Sequence, residues 1–199
     1  MKINISLDKK SIENAIKQIK AVQKKVQKDL PRVFLQKCVE WIKNEANNNL
    51  SQIPMDYEII SLIQKSWSIS PIVGNSITLS NTAEVERGKN VAVFVEFGVG
   101  SVGQSKAHER ANEANYEYDV PSRYKHADGK WTFNAHHQQY AIDLNKGYYY
   151  IYQRENSGQI TAVTKGSPAN MFLFKAMKTF ETSGIYQKLW EEACAEVIG

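Results

Sequence analysis

Cysteine is scarce in this sequence, which has only two among 199 residues. Cys38 and Cys194 are far apart, and neither belongs to a C-x-x-C pair, so we predict free thiols packed as small hydrophobes. Residues 1–6 lack the apolar core of a signal peptide, and no apolar run reaches the roughly 18 residues that span a bilayer. These absences predict synthesis in the reducing cytosol, no disulfide and no membrane partner.

Motifs of catalysis and metal binding are missing as well. There is no G-x-S-x-G nucleophile motif, and no pair of histidines has a ligand spacing such as H-x-x-x-H. Adjacent histidines would point to different sides of a strand or helix, so they do not form a natural ligand pair. We therefore predict no catalytic residue and no metal site, and we expect exposed side chains for the four histidines, which all fall in one polar stretch: His108, His126, His136 and His137.

One pattern has the form of a cofactor motif, the G-x-G-x-x-G of Gly98, Gly100 and Gly103, with Asp119 near the usual distance for a ribose-binding carboxylate. A dinucleotide-binding helix must pack an apolar face on its sheet. The twelve residues after Gly103 offer only three alanines for that face, and no second β-α-β unit follows. We therefore predict that these glycines shape a structural turn and that the protein binds no cofactor.

The composition that is present is ordinary for a globular protein. Hydrophobic residues make up 42% of the chain and charged residues 23%, with a net charge of +4, which is too mild to require a nucleic-acid partner. A chain of this length can bury its own core. We expect a single domain: residues 1–50 form an N-terminal helical region, residues 51–100 and 147–199 an α+β core, and residues 101–146 a long polar surface insertion.

Helical periodicity is clear at the N-terminal end. Ser11 is the expected N-cap of a first helix, whose apolar residues recur every three or four positions from Ile12 to Val26. Pro31 suits the first turn of a second helix, which should end near Asn49. The sequence leaves open whether these helices form one kinked arm or a helical hairpin.

Two more helices are expected near the C-terminus, over residues 169–180 and 185–197, from apolar residues at helical spacing. Pro168 suits the start of the earlier helix, and Thr164 or Ser167 would cap it.

Short strands are predicted between these helical regions. Residues 67–70 and 76–80 alternate apolar and polar side chains and should form an antiparallel pair, and residues 2–7 also alternate. Residues 148–152, Tyr-Tyr-Tyr-Ile-Tyr, indicate a further strand. Residues 91–97 are apolar almost throughout, and periodicity cannot separate a central strand from a short helix at that length.

Glu96 is the most notable carboxylate because it lies within that apolar run. An unpaired buried carboxylate is costly, so we expect Glu96 to pair with arginine, lysine or backbone amide groups at a turn or a subunit contact. The alternative is a general acid or base. No second carboxylate lies at a motif spacing, so we favour the structural interpretation.

Two surfaces are candidate interfaces. The lysine-rich face of the first helix, with Lys17, Lys20 and Lys24, is either a solvated face or one that meets acidic protein or DNA. The polar insertion interleaves aromatic and basic side chains, a pattern found in single-strand nucleic-acid sites and in protein interfaces, of which we favour the second. Its candidate interface residues are Tyr116, Tyr118, Arg123, Tyr124 and Trp131.

Two blocks of the sequence resemble motifs of a phage protein family. Residues 93–100, Val-Phe-Val-Glu-Phe-Gly-Val-Gly, are similar to its V-E-F-G-T-G signature, although Val99 stands where threonine is usual. Residues 164–172, Thr-Lys-Gly-Ser-Pro-Ala-Asn-Met-Phe, are similar to its closing G-x-P-A-x-x-F, and the tyrosine run at 148–150 falls between the blocks. The family is that of the minor tail components, or head–tail joining (tail-completion, neck) proteins, of long-tailed bacteriophages and prophages.

The resemblance implies an α+β fold, with a small antiparallel sheet of about four strands flanked by the N-terminal and C-terminal helices. It implies a non-enzymatic virion protein without cofactors, assembled in the host cytoplasm and located at the head–tail junction. Its partners would be further copies of itself in a ring, commonly sixfold, the head–tail connector and the tail tube or tail terminator protein. The residues of the structural turn would be Glu96, Phe97, Gly98, Gly100, Gly166, Pro168 and Phe172.

A ring needs two different patches on each subunit. We hypothesise that the 101–146 insertion and the basic N-terminal helix supply them. The alternative function is nucleic-acid binding through the lysine-rich helix and the insertion, with an affinity that falls steeply with salt. A hydrolase that uses Glu96 or the histidines is a third hypothesis, which Glu96→Gln would test.

Overall fold

The computed structural model describes residues 9–55, 57–86, 89–118, 131–134, 151–154, 160–164 and 166–198. The helices are α1 Lys9–Lys28, α2 Leu30–Ser51, α3 Tyr57–Lys65, α4 Val91–Phe97, α5 Gly100–Ser105, α6 Phe172–Thr182 and α7 Ile185–Ile198. The strands are β1 Trp67–Ile69, β2 Leu79–Asn81, β3 Glu84–Glu86, β4 Lys89–Asn90, β5 Trp131–Asn134, β6 Ile151–Arg154, β7 Ile160–Thr164 and β8 Gly166–Ser167. The expected α+β class is confirmed.

Helices α1 and α2 form one kinked arm. Only Asp29 separates them, and its backbone keeps helical angles of φ −94° and ψ −36°. The Asp29 N–H donates to the Lys25 carbonyl at 2.7 Å, so helical hydrogen bonding continues into the joint. Helix α1 begins at Lys9, so Ser11 lies inside the helix and the N-cap predicted there is wrong. No helix among the described residues is long and apolar enough to cross a membrane.

The hydrophobic core lies where the end of α2 meets α3, α4 and α6. Burying a large apolar side chain contributes roughly 1.5–3 kcal/mol, so this junction is a main source of stability. Trp67 packs against the core and donates its Nε1–H to the Asn47 side chain at 2.7 Å. The buried members of the core are Ala46, Leu50, Ile60, Ile63, Ala83, Ala92, Val95, Phe172 and Ala176.

Residues 91–97, for which the sequence left strand and helix open, form helix α4. The side chain of Asn90 caps it by accepting the Ala92 N–H at 2.9 Å. Gly98, with φ +80°, ends it. A capping asparagine and a closing glycine define a helix of two turns that the apolar run alone could not specify.

The described strands form three small sheets in place of one sheet of four strands. The predicted antiparallel pair is confirmed as β1 and β2, although β2 begins later than expected, with Trp67 opposite Asn81. Strands β3 and β4 form a second pair, and β5, β7 and β6 a third sheet in that order. The strand predicted at residues 2–7 lies outside the described residues. Of the strand predicted at residues 148–152, the described part, Ile151 and Tyr152, lies in β6.

Candidate functional site

The two motif blocks meet beside the hydrophobic core. Antiparallel backbone bridges join Val99 to Ser167 and Gly100 to Gly166. The Asn170 N–H donates to the carbonyl of Val95, in α4, at 3.1 Å. The end of α4 is therefore fixed to the segment that leads into α6.

Glycine is required where these two segments cross. Gly98 has a φ of +80°, and a Cβ atom there would lie 2.6 Å from the Ala169 nitrogen. Gly166 has a φ of +112°, and a Cβ atom there would overlap the Val99 carbonyl oxygen. The glycines therefore permit both the left-handed backbone and the close approach of the two chains. The glycines of the G-x-G-x-x-G pattern therefore lie against the backbone of residues 166–169.

The side chain of Glu96 caps α6. It is only 7% exposed. Its Oε2 accepts the Leu173 N–H and its Oε1 accepts the Phe174 N–H, both at 2.9 Å. A carboxylate suits the first turn of a helix, where N–H groups lack partners and the helix dipole is positive. The prediction that Thr164 or Ser167 caps this helix is wrong, because those residues lie in β7 and β8.

His108 is the partner of Glu96 on the other side. Its Nε2 lies 3.1 Å from Glu96 Oε1. The Arg110 N–H donates to His108 Nδ1 at 3.0 Å, so Nδ1 is an acceptor and the proton of a neutral ring is on Nε2, from which it is donated to Glu96. The prediction of an exposed side chain is wrong for His108, which is only 5% exposed. Its ring can be buried because Glu96 provides a hydrogen-bond partner for Nε2. The other three histidines lie outside the described residues.

Aromatic rings cover the pair formed by Glu96 and His108. The Phe97 ring lies between two others, with its centroid 4.4 Å from that of His108 and 4.7 Å from that of Tyr116. The Phe174 ring meets His108 edge-on at 5.1 Å. We call these five residues the Glu96–His108 cluster. The rings keep water from the hydrogen bonds and strengthen them.

Tyr116 also closes the cluster through its hydroxyl group, which donates to the Gly98 carbonyl at 2.7 Å. Burial raises the pKa of Tyr116 to about 12, and the nearby Tyr118 adds to that rise. The Tyr118 hydroxyl accepts the His108 backbone N–H at 2.9 Å. Both tyrosines were candidates for an interface with other molecules, and both are half-buried in contacts within the fold.

The structure brings the turn residues of the two motif blocks together and places the other candidates elsewhere. Lys17, Lys20 and Lys24 are exposed on α1, and Trp131 lies in β5. Asp119 lies outside the described residues, as do the interface candidates Arg123 and Tyr124.

The hydrogen bonds of the Glu96–His108 cluster join α4, α6 and the turn around His108. Every buried side-chain nitrogen and oxygen in the described residues has a hydrogen-bond partner. In the same residues, no group of three or more His, Cys, Asp or Glu could hold a metal ion. Sequence reasoning missed His108, which no local motif marks.

No protein-family model, curated protein or solved structure matches the chain.

Proposed function

We propose that this chain is a structural virion protein of a long-tailed bacteriophage, which completes the tail or joins it to the head connector through protein–protein contacts. The observation that supports the proposal is the meeting of the two motif blocks. Glu96 of the first block caps the helix that the second block begins, by accepting the N–H of Leu173, 77 residues later. The two most specific parts of the resemblance therefore form one structural unit.

A structural role also agrees with how the polar groups of the cluster are used. The Glu96 carboxylate accepts hydrogen bonds from two backbone amides and from His108, inside a shell of aromatic rings. A general acid or base must reach the proton that it transfers. An enclosed carboxylate instead holds α4, α6 and the turn around His108 in fixed positions, which an assembly protein needs in order to present rigid surfaces.

Nucleic-acid binding is the second candidate function, and the charge of α1 supports it. That helix contains seven lysines and one glutamate. Binding through such a helix should weaken steeply as salt rises, because counterions are released from the phosphates. The stacking part of that hypothesis has less support, since the ring of Tyr116 stacks on Phe97 within the fold.

Genetics in a phage or prophage that encodes the chain would test the proposal. We expect disruption of its gene to leave heads and tails that accumulate separately in negative-stain electron micrographs. The wild-type gene should restore joined particles, Glu96→Ala should not, and Glu191→Gln, at an exposed site on α7, should serve as the matched control. Joined, infectious particles made without the protein would contradict the proposal.

A further inference from the structure

Helix α1 has an apolar stripe that remains about half exposed in the part of the chain that the structure describes. Ile12, Ile16 and Ile19 are 41%, 47% and 51% exposed. Their spacing of four and three residues places them on one helix face. Within one copy, α1 continues into α2 through Asp29 and packs on α7. Adjacent exposed isoleucines on a regular helix are typical of a surface that another molecule covers.

The net positive charge of the protein comes from the same helix. With seven lysines and one glutamate, α1 has a net charge of +6, whereas the whole chain has +4, so the remainder is net −2. Lys20 and Lys24 follow Ile16 by four and eight residues and therefore lie along one edge of the stripe. Helix α1 is therefore basic with an apolar face, and the rest of the chain, which we call the body, has a slight net negative charge.

That body contains a groove of about 240 Å³, formed by α6 and residues 109–113. Its apolar lining is Phe174 and Met177, and the Met177 side chain is 37% exposed. Carboxylates line the same groove, from Glu109, Glu113 and Glu181. The groove thus offers the two features that α1 would need, an apolar surface and carboxylates beside it.

Two basic side chains, Lys178 and Arg110, also line the groove, and each pairs with one of its carboxylates. The Lys178 ammonium lies 5.6 Å from the centre of the Phe174 ring and 3.7 Å from Glu109. Arg110 lies equally close to that ring and 3.8 Å from Glu113. Such long, exposed ion pairs contribute little, so an incoming lysine can compete for the carboxylates. The groove retains one net negative charge, three carboxylates against two cations.

We propose that α1 of one copy binds in this groove of the next copy. The isoleucine stripe would cover Phe174 and Met177, and Lys20 and Lys24 would approach the carboxylates. Because the stripe and the groove are different surfaces, the contact is heterologous and repeats head to tail into a ring or a filament. The inference rests on the proposed function, whose self-interface it identifies. It places the second ring patch at the groove, which combines residues 109–113 of the insertion with α6.

Charge reversal of the full-length protein tests this contact. The first variant combines Lys17→Glu, Lys20→Glu and Lys24→Glu, and the second combines Glu109→Lys, Glu113→Lys and Glu181→Lys. We expect the wild type to form a closed oligomer in native mass spectrometry at about 100 μM, a concentration that populates even weak interfaces. Each variant alone should self-associate at least about tenfold more weakly, because like charges then face each other.

Mixing the two variants gives the decisive result. Each reversed α1 then meets an oppositely charged groove on the other variant, so the mixture should form oligomers that contain equal numbers of both. Lys188→Glu on α7 is a control for charge alone and should assemble like the wild type. Circular dichroism should show that every variant is folded, since all of the changed side chains are exposed.

Three outcomes would overturn the inference: a monomeric wild type, reversed variants that still assemble alone, or no recovery on mixing. Ile16→Asp, at another exposed position, should also abolish the oligomer, and an unchanged oligomer would count against the stripe. A wild type that stays monomeric but binds phosphatidylserine vesicles or duplex DNA would assign α1 to a membrane or to nucleic acid. Failure of the proposed function is distinguishable, because it appears as joined particles after gene disruption, whatever the oligomeric state.

Discussion

Gly98 and Ala169 lie so close that a single methyl group on Gly98 would come within 2.6 Å of the Ala169 nitrogen. Gly98 belongs to the first motif block and Ala169 to the second, so their approach measures how tightly the two blocks pack. The nearest atoms are backbone atoms, which cannot rotate away as the end of a side chain can.

Replacing Gly98 by alanine should lower the free energy of unfolding by at least about 3 kcal/mol, from left-handed backbone strain together with the overlap. Gly184→Ala is the matched control, because Gly184 has a φ of +71° and nothing within 4 Å of its added Cβ. The control should lose only about 1–2 kcal/mol, from strain alone. Urea unfolding measures both values. Equal losses of unfolding free energy in the two variants would show that the two motif segments can move apart at Gly98.

Glu96→Gln should destabilise the protein by about 2–4 kcal/mol, since an amide can accept at only one atom and places a donor against a buried N–H group. The amides of Leu173 and Phe174 should then exchange hydrogen faster, because they lose the cap of α6. Hydrogen exchange with mass spectrometry or NMR reads out both amides. Unchanged protection at these two positions, with Glu191→Gln as the control, would contradict the capping role.

The raised pKa of Tyr116 predicts a loss of stability at high pH. An unfolded tyrosine loses its proton near pH 10, whereas Tyr116 in the fold keeps it until about 12. Between these values the folded state binds more protons, so the free energy of unfolding falls as pH rises through this window. Tyr116→Phe should lose about 1 kcal/mol with the hydrogen bond to Gly98 but show a shallower fall. Urea titrations across the window, parallel for the two proteins, would refute the assignment.

Cys38 should react slowly with alkylating reagents. It is buried, and burial raises the pKa of its thiol, so the reactive thiolate is rare at neutral pH. We expect Cys38 in a Cys194→Ser variant to react at least about tenfold more slowly with iodoacetamide than the half-buried Cys194 in a Cys38→Ala variant. Urea should remove the difference. Equal rates in the folded proteins would show that α2 opens readily at this position.

The sequence predicts those parts of the structure that residues close together in the chain determine. The strand pair β1 and β2 and the terminal helices follow from periodicity, which nearby residues determine. Helix α4 was left open because its run is short, yet Asn90 and Gly98 flank it as cap and terminator and could have decided the question. Glu96 was expected to pair with backbone amides or cations, and it does pair with amides.

The rest of the candidate site could not be predicted, because its partners are distant in sequence. The cap of α6 comes from a residue 77 positions earlier, so the positions just before Phe172 carry no trace of it. His108 lies in a polar stretch that is typical of exposed histidine, and only the folded chain brings it to Glu96. Long-range pairs of this kind leave no periodic signal in a single sequence.

The cap that joins Glu96 to α6 also has a consequence for biosynthesis. A ribosome adds α4 well before the residues of α6 emerge, so the carboxylate has no helix to cap while most of the chain already exists. Contacts that close late over long stretches slow folding and leave nascent chains incomplete. Chains in which Glu96 caps α6 should therefore appear only after the residues of α6 have been translated.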